Sequence, residues 1–122
     1  MKYILLPTDF SANSWNALEY ALRFFKNENC TFYILHIGEL KDSGVNSNSF
    51  AFSAKKTFSP IKEKINSFSI RVERLLVPQK HHLIVLHEYG SFIDIIRKTV
   101  YEKKINLIVM GTKGSSGIGT AI

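Results

Sequence analysis

Four short and almost unbroken apolar runs divide this chain, and segments with helical spacing of apolar residues separate them. The runs cover residues 3–6, 31–37, 83–86 and 106–110. Continuous apolar runs of this length are typical of strands buried on both faces of a parallel sheet. Strands that alternate with helices predict βαβ units with right-handed crossovers. We therefore expect an α/β sheet with helices on both faces.

Capping residues and apolar spacing predict three helices. The first begins after Ser11, the second at Ser59-Pro60, and the third after Ser91, which opens an S-x-x-D capping box. The stripes expected to face the sheet are Trp15, Leu18, Leu22 and Phe25, then Ile61, Ile65, Phe68 and Val72, then Ile93, Ile96 and Val100. Residues 38–59, rich in Gly, Asn and Ser, predict a long loop.

Length and cysteine usage indicate one domain in a reducing compartment. The chain has 122 residues, of which 45% are hydrophobic and 21% charged, as in ordinary globular domains. Cys30 is the single cysteine, so no intramolecular disulfide can form. The apolar runs are far shorter than the ~20 residues of a membrane-spanning helix. We expect a cytoplasmic protein without a membrane partner.

The net charge is basic but dispersed. Sixteen Lys and Arg residues against ten Asp and Glu give a formal charge of +6, which attracts polyanions in general. No Lys/Arg block with interleaved aromatic residues occurs, so we expect no nucleic-acid partner. Phosphate-bearing small ligands remain compatible with this charge.

Two turns follow strands at the edge of the sheet where open parallel sheets bind ligands. The segment "PTD" (7–9) leaves the first strand, and "MGTKGSSG" (110–117) leaves the fourth. Glycines allow backbone N–H groups to approach a ligand, and successive N–H groups form an anion-binding concavity. Lys113 would add a cation, and Thr112 and Ser115 hydroxyl donors. A phosphate group is the expected guest, and an exposed tail is the alternative.

Other chemistries find less support in the sequence. Asp9 could contact a ribose hydroxyl or Mg²⁺, or could form an Asx-turn or a helix cap. Neither a P-loop nor a G-x-G-x-x-G fingerprint occurs, and no G-x-S-x-G elbow marks a nucleophile. Adjacent His81 and His82 should point to opposite faces of a strand, so we expect no metal site.

The segments "KYILLPTDFSANSWNALEYAL", "LHI" and "NLIVMGTKG" together resemble the universal stress protein family. The resemblance implies a doubly wound, Rossmann-like sheet of the adenine nucleotide alpha hydrolase type, in which strands one and four are neighbours. It implies that adenosine lies against a turn and two strand ends, and that phosphates lie on a loop written G-2x-G-9x-G-(S/T). The residues so assigned are Pro7, Thr8, Asp9, Ile37 and Met110 for adenosine, and Gly111, Lys113, Gly114 and Ser115 for the phosphates.

Counting nine residues from Gly114 places the third glycine of this loop at position 124, beyond Ile122. The resemblance therefore predicts a single domain over 1–122, truncated within the phosphate loop and lacking the last helix and edge strand. Each missing charge-assisted hydrogen bond is worth about 1.5–3 kcal/mol, so we expect weak or absent ATP binding. The uncovered fourth strand predicts self-association or a homodimer.

The function expected from these features is binding of an adenine nucleotide, ATP or AMP, with or without Mg²⁺, as a stress-response sensor or regulator. The alternative is a dimerisation and interaction module of the same family that holds no nucleotide. Enzymatic ATP hydrolysis is the least favoured function, because no general base or arginine finger can be named.

Overall fold

Strands and helices alternate along the chain in a computed structural model that describes residues 1–38 and 60–111. The elements are β1 (Lys2–Pro7), α1 (Ala12–Phe24), β2 (Cys30–Gly38), α2 (Pro60–Glu73), β3 (His81–Tyr89), α3 (Phe92–Lys103) and β4 (Leu107–Ile108). The strands form one parallel sheet in the order β3-β2-β1-β4. The predicted α/β class is confirmed. Apart from Gly38, the predicted loop 38–59 lies outside the described residues.

The strand order reverses at β1. The chain proceeds from β1 outward to β2 and β3, and α3 then returns it to β4 on the other side of β1. β1 pairs in parallel with β2 along its whole length and with β4 at Ile4↔Leu107 and Leu5↔Ile108. Strands one and four are therefore neighbours, as the resemblance implies. A reversal of this kind opens a crevice beyond the carboxyl ends of the two strands.

Two apolar clusters cover the two faces of the sheet, because successive strand residues point to opposite sides. One cluster joins β1 and β2 to α1 and α2 through Ile4, Leu6, Phe32, Ile34, Leu18, Leu22, Phe68 and Val72. The other joins them to α3 through Leu5, Tyr33, Leu35 and Ile95. Helices thus lie on both faces, and the stripes predicted for the first two helices contribute their buried side chains.

The helices begin where the sequence predicts. Ser11 Oγ accepts a hydrogen bond from the Ser14 amide at 3.2 Å, and Ser91 Oγ accepts one from the Asp94 amide at 3.5 Å. Both serines have extended backbone angles and cap their helices. Lys104 ends α3 with a left-handed backbone (φ 54°).

The stripe predicted for the third helix is wrong at its first position. Ile93 is 53% exposed, whereas Ile95 and Thr99 are buried. Thr99 can be buried because its Oγ1 donates to the Ile95 carbonyl oxygen at 2.8 Å within the same helix. A buried threonine cannot be recognised from the spacing of apolar residues. The predicted stripe is therefore rotated about the helix axis relative to the side that is buried.

Cys30 and His81 begin neighbouring strands and are both buried. Burial makes the largest contribution to raising the pKa of the Cys30 thiol, and the negative charge of Glu28 makes the next largest. A raised pKa is expected for a core cysteine. His82 is exposed, so the two adjacent histidines do point to opposite faces.

In the described parts of the chain, no helix has the length and apolar character needed to cross a bilayer.

Candidate functional site

The turn after β1 is fixed by hydrogen bonds from its own side chains. Pro7 ends the strand and is buried, and the buried Thr8 continues the ladder because its amide donates to the Leu35 carbonyl oxygen at 2.9 Å. Thr8 Oγ1 accepts from the Phe10 amide at 3.0 Å. The turn therefore has a defined shape before any ligand binds.

Asp9 is exposed and forms the Asx-turn that the sequence offered as an alternative. Its Oδ1 accepts from the Ser11 amide at 3.0 Å and from the Ser14 hydroxyl at 2.6 Å. The Asp9 amide donates in turn to Ser14 Oγ at 3.1 Å. These bonds tie the carboxylate to the first turn of α1, where negative charge is also favoured by the helix dipole.

Phe10 carries backbone strain next to Asp9. Its φ of 68° lies in the left-handed region, which a bulky side chain adopts only when its surroundings impose it. The Phe10 ring stacks on His36 with centroids 4.7 Å apart and meets Phe68 of α2 edge to face at 5.5 Å. Two aromatic contacts therefore hold the strained residue in place.

Gly111 is where the chain after β4 meets the same helix turn. A Cβ built on Gly111 would lie 2.5 Å from the Asn13 carbonyl oxygen, so a side chain has no space there. The Val109 amide donates to the Leu5 carbonyl oxygen at 3.0 Å, which carries the β1–β4 pairing to the edge of the sheet. The turns after β1 and β4 thus both contact the start of α1.

The apolar residues assigned to adenosine share one face of the sheet. Ile37 packs on the cluster under α3, and Pro7 follows Leu5 on the same side of β1. Ile108 is the register partner of Leu5, and Met110, 48% exposed, lies two residues further. The α3 side of the crevice therefore offers an apolar surface beside the polar turn of Asp9.

On the other side of the Asp9 turn lies a cleft of about 480 Å³ that the sequence analysis does not predict. The turn lines it with Asp9, Phe10 and Ser11, and α2 lines it with Glu63, Lys64, Ser67, Phe68 and Arg71. The Arg71 guanidinium lies 3.9 Å from the centroid of the Trp15 ring, a cation–π contact that joins α1 to α2. The 3.6-residue spacing of α2 places these polar residues on one side of the helix, but the partner turn could not be known.

A pair of histidines was also missed. His36 and His87 are register partners on β2 and β3, with their Nδ1 atoms 2.9 Å apart and their rings stacked at 4.9 Å and 15°. The two residues are 51 positions apart. The register of the two strands, which brings them together, cannot be read from the sequence.

Three of the assigned residues fall outside the described part of the chain: Lys113, Gly114 and Ser115. Of the residues assigned to the phosphates, the structure therefore describes Gly111 alone. Within residues 1–38 and 60–111, no group of three or more His, Cys, Asp or Glu side chains is arranged to hold a metal ion.

A doubly wound parallel sheet with a polar turn and a close-packed glycine at its reversal point defines a class of α/β domains that bind ligands at that edge. The sequence model of the universal stress protein family matches residues 1–122. The chain belongs to this family. No curated protein matches the chain in a sequence comparison.

Several solved structures share the fold. The protein described as hypothetical protein MJ0577 superposes with a TM-score of 0.72 at 20% identity, over 96% of this chain and 78% of that one. A universal stress protein in complex with cAMP gives 0.69 at 18% identity, over 98% and 79%. Universal stress protein UspA from Lactobacillus plantarum gives 0.67 at 19% identity, over 97% and 83%.

Proposed function

We propose that this chain binds an adenine nucleotide at the crevice between β1 and β4 and acts as a nucleotide-responsive regulator of the stress-protein type. The observation that carries the proposal is that the turn after β1 and the turn after β4 both contact the first residues of α1. Asp9 is bonded to Ser14, and Gly111 lies against the Asn13 carbonyl. A similar structure, that of a universal stress protein, was solved in complex with cAMP.

The described residues fit the adenosine half of such a ligand. Pro7, Ile37 and Met110 supply an apolar surface for a base, and the Thr8–Asp9 turn supplies polar groups at its border. The phosphates are assigned to Gly111, Lys113, Gly114 and Ser115, whose backbone amides and cation would balance their charge. Bound Mg²⁺ would neutralise phosphate charge, and the Asp9 carboxylate would be its ligand from the β1–α1 turn.

Isothermal titration of the chain with cAMP, AMP and ATP tests the proposal. We expect saturable binding of cAMP and AMP, and weak or absent binding of ATP because of the missing phosphate contacts. Met110→Arg should weaken the binding by about tenfold or more, because a charged side chain would replace the apolar wall of the base site. Ile93→Arg is the matched control: Ile93 is 53% exposed against 48% for Met110, and it lies on α3. The control should bind like the unmodified chain.

The alternative is an interaction module that holds no nucleotide. Absence of binding for all three nucleotides at concentrations of about 1 mM, in a chain that remains folded, would favour this alternative. Equal weakening by Met110→Arg and Ile93→Arg would place any binding away from the crevice.

A further inference from the structure

Four aromatic rings form a continuous stack along the carboxyl edge of the sheet, on the face covered by α1 and α2. Phe10 stacks on His36 at 4.7 Å, His36 on His87 at 4.9 Å, and His87 meets Tyr89 edge to face at 4.8 Å. Tyr89 in turn occupies the space beside Gly38, where a Cβ would come within 2.5 Å of its ring. This ring stack connects the Asp9 turn to the far edge strand.

The rings of His36 and His87 can take up one added proton without losing the hydrogen bond between them, but not two. At an Nδ1–Nδ1 distance of 2.9 Å, one ring donates an N–H and the other accepts it. A first added proton can go to Nε2 of the donating ring, which preserves the hydrogen bond. A second must go to the accepting Nδ1, and two N–H groups and two positive charges would then face each other.

The groups around the pair oppose this second proton overall. Burial is the largest cause of the lowered pKa of His36, and the charges of His87 and of Lys64 on α2 lower this pKa further. The charge of Asp9 in the β1–α1 turn raises it. Tyr89 contacts His87 along β3. The remaining charged residues of the neighbouring cleft are Glu63 and Arg71 of α2.

The lowered pKa fixes the direction of the stability change. Because the folded protein favours neutral His36, the unfolded chain binds more protons once the pH falls below about 6.5. The stabilisation that comes from neutral His36 is therefore complete above that pH. It declines as the pH falls toward the lower pKa of the folded state.

The stack connects this titration to the candidate site through Phe10. Phe10 follows Asp9 directly, and its left-handed backbone persists only while its surroundings impose it. His36 and Phe68 are the rings in contact with it. If His36 moves, the strained residue loses one of two aromatic contacts, and the turn that presents Asp9 can relax.

We propose that the His36–His87 pair is a proton-sensitive support of the β1–α1 turn, and that double protonation separates the rings, releases Phe10 and thereby weakens nucleotide binding at Asp9. The part that concerns the turn depends only on the ring stack. The part that concerns affinity rests on the proposed function, so the two are tested separately.

The first test uses the protein without nucleotide. In ¹⁵N NMR spectra recorded from about pH 8 to about pH 5, the ring nitrogens of His36 and the amides of residues 9–11 should change with a common midpoint. His36→Phe and His87→Phe keep an aromatic ring but remove the shared proton, and either should abolish the change at residues 9–11. His82→Phe, at the exposed histidine on the opposite face, should leave it unchanged.

Spectra at about pH 8 show which of the two Phe variants folds, and one folded variant is sufficient for the comparison. Amides 9–11 that stay constant over the range would overturn the proposal. So would a change at these amides that persists in the folded Phe variant, because another group would then be its source.

The second test measures affinity for cAMP, whose phosphodiester keeps a constant charge over this range, unlike the terminal phosphate of AMP or ATP. The dissociation constant should rise by about fivefold between pH 7.5 and pH 5.5 and stay nearly constant in the folded Phe variant. Equal pH dependence in the chain and the variant would overturn the link to affinity. Absence of cAMP binding at both pH values would contradict the proposed function and leave the first test decisive for the turn.

Discussion

Gly111 has no room for a side chain, because the Asn13 carbonyl oxygen occupies the position that a Cβ would approach to 2.5 Å. Gly111→Ala should lower the free energy of unfolding by about 1–3 kcal/mol, the usual cost of overpacking. Where the backbone can accept alanine, the same replacement stabilises by about 0.4–1 kcal/mol, so the sign of the effect is informative.

Thermal unfolding of Gly111→Ala beside Met110→Leu measures this effect at two adjacent positions. The leucine variant conserves volume at a half-exposed site and should unfold like the unmodified chain. A Gly111→Ala variant as stable as its parent would show that Gly111 is not closely packed against the Asn13 carbonyl of α1.

His81 binds two backbone groups from separate segments. Its Nδ1 accepts from the Val77 amide at 3.1 Å, and its Nε2 lies 3.0 Å from the Phe25 carbonyl oxygen, to which it donates when Nε2 carries the proton. His81→Leu leaves the Val77 amide without this partner, and we expect a loss of about 1–3 kcal/mol in urea unfolding. His82→Leu, on the exposed side of the same strand, should change stability by less than about 0.5 kcal/mol.

At the scale of single elements, the start of α1 is the most heavily bonded helix end described. Ser11→Ala removes the acceptor of the Ser14 amide, and we expect a loss of about 1 kcal/mol in unfolding free energy. Ser91→Ala at α3 should cost less, because its bond to Asp94 is 3.5 Å long. Urea titrations of both variants check the order, and a larger loss for Ser91→Ala would contradict it.

Helix starts and buried strands could be predicted from the sequence because their determinants are local. Ser11 and the spacing of Leu18 and Leu22 are enough to give α1 its cap and its buried side. The ring stack could not be predicted, because it depends on the register that sets His36 opposite His87. Likewise, the sequence marks Gly111 as a turn residue but says nothing of the Asn13 carbonyl beside it.

At the scale of the whole molecule, the β4 edge is the surface where self-association is expected. Within the described residues, β4 pairs only with β1, and Leu107, Ile108 and Met110 are 38–48% exposed. Strand edges of this kind pair readily with other strands, and a lysine on the edge discourages pairing. Ile108→Lys should therefore weaken self-association by about tenfold or more in sedimentation equilibrium.

Ile84→Lys is the matched control for this measurement. Ile84 is 40% exposed, like Ile108 at 38%, but lies on β3 at the opposite side of the sheet. A larger effect of Ile84→Lys would assign association to β3, and a chain that is monomeric at every concentration would contradict the expectation.

The convergence of both turns on the first residues of α1 affects how mutational data on this chain must be collected. Under the proposed function, the atoms of residues 9–14 serve both the fold and the ligand, so substitutions there should alter cellular abundance and ligand occupancy together. A growth-based screen would merge the two effects into a single score. Parallel measurement of protein level and ligand occupancy for each variant is needed to tell a misfolded chain from an intact but empty one.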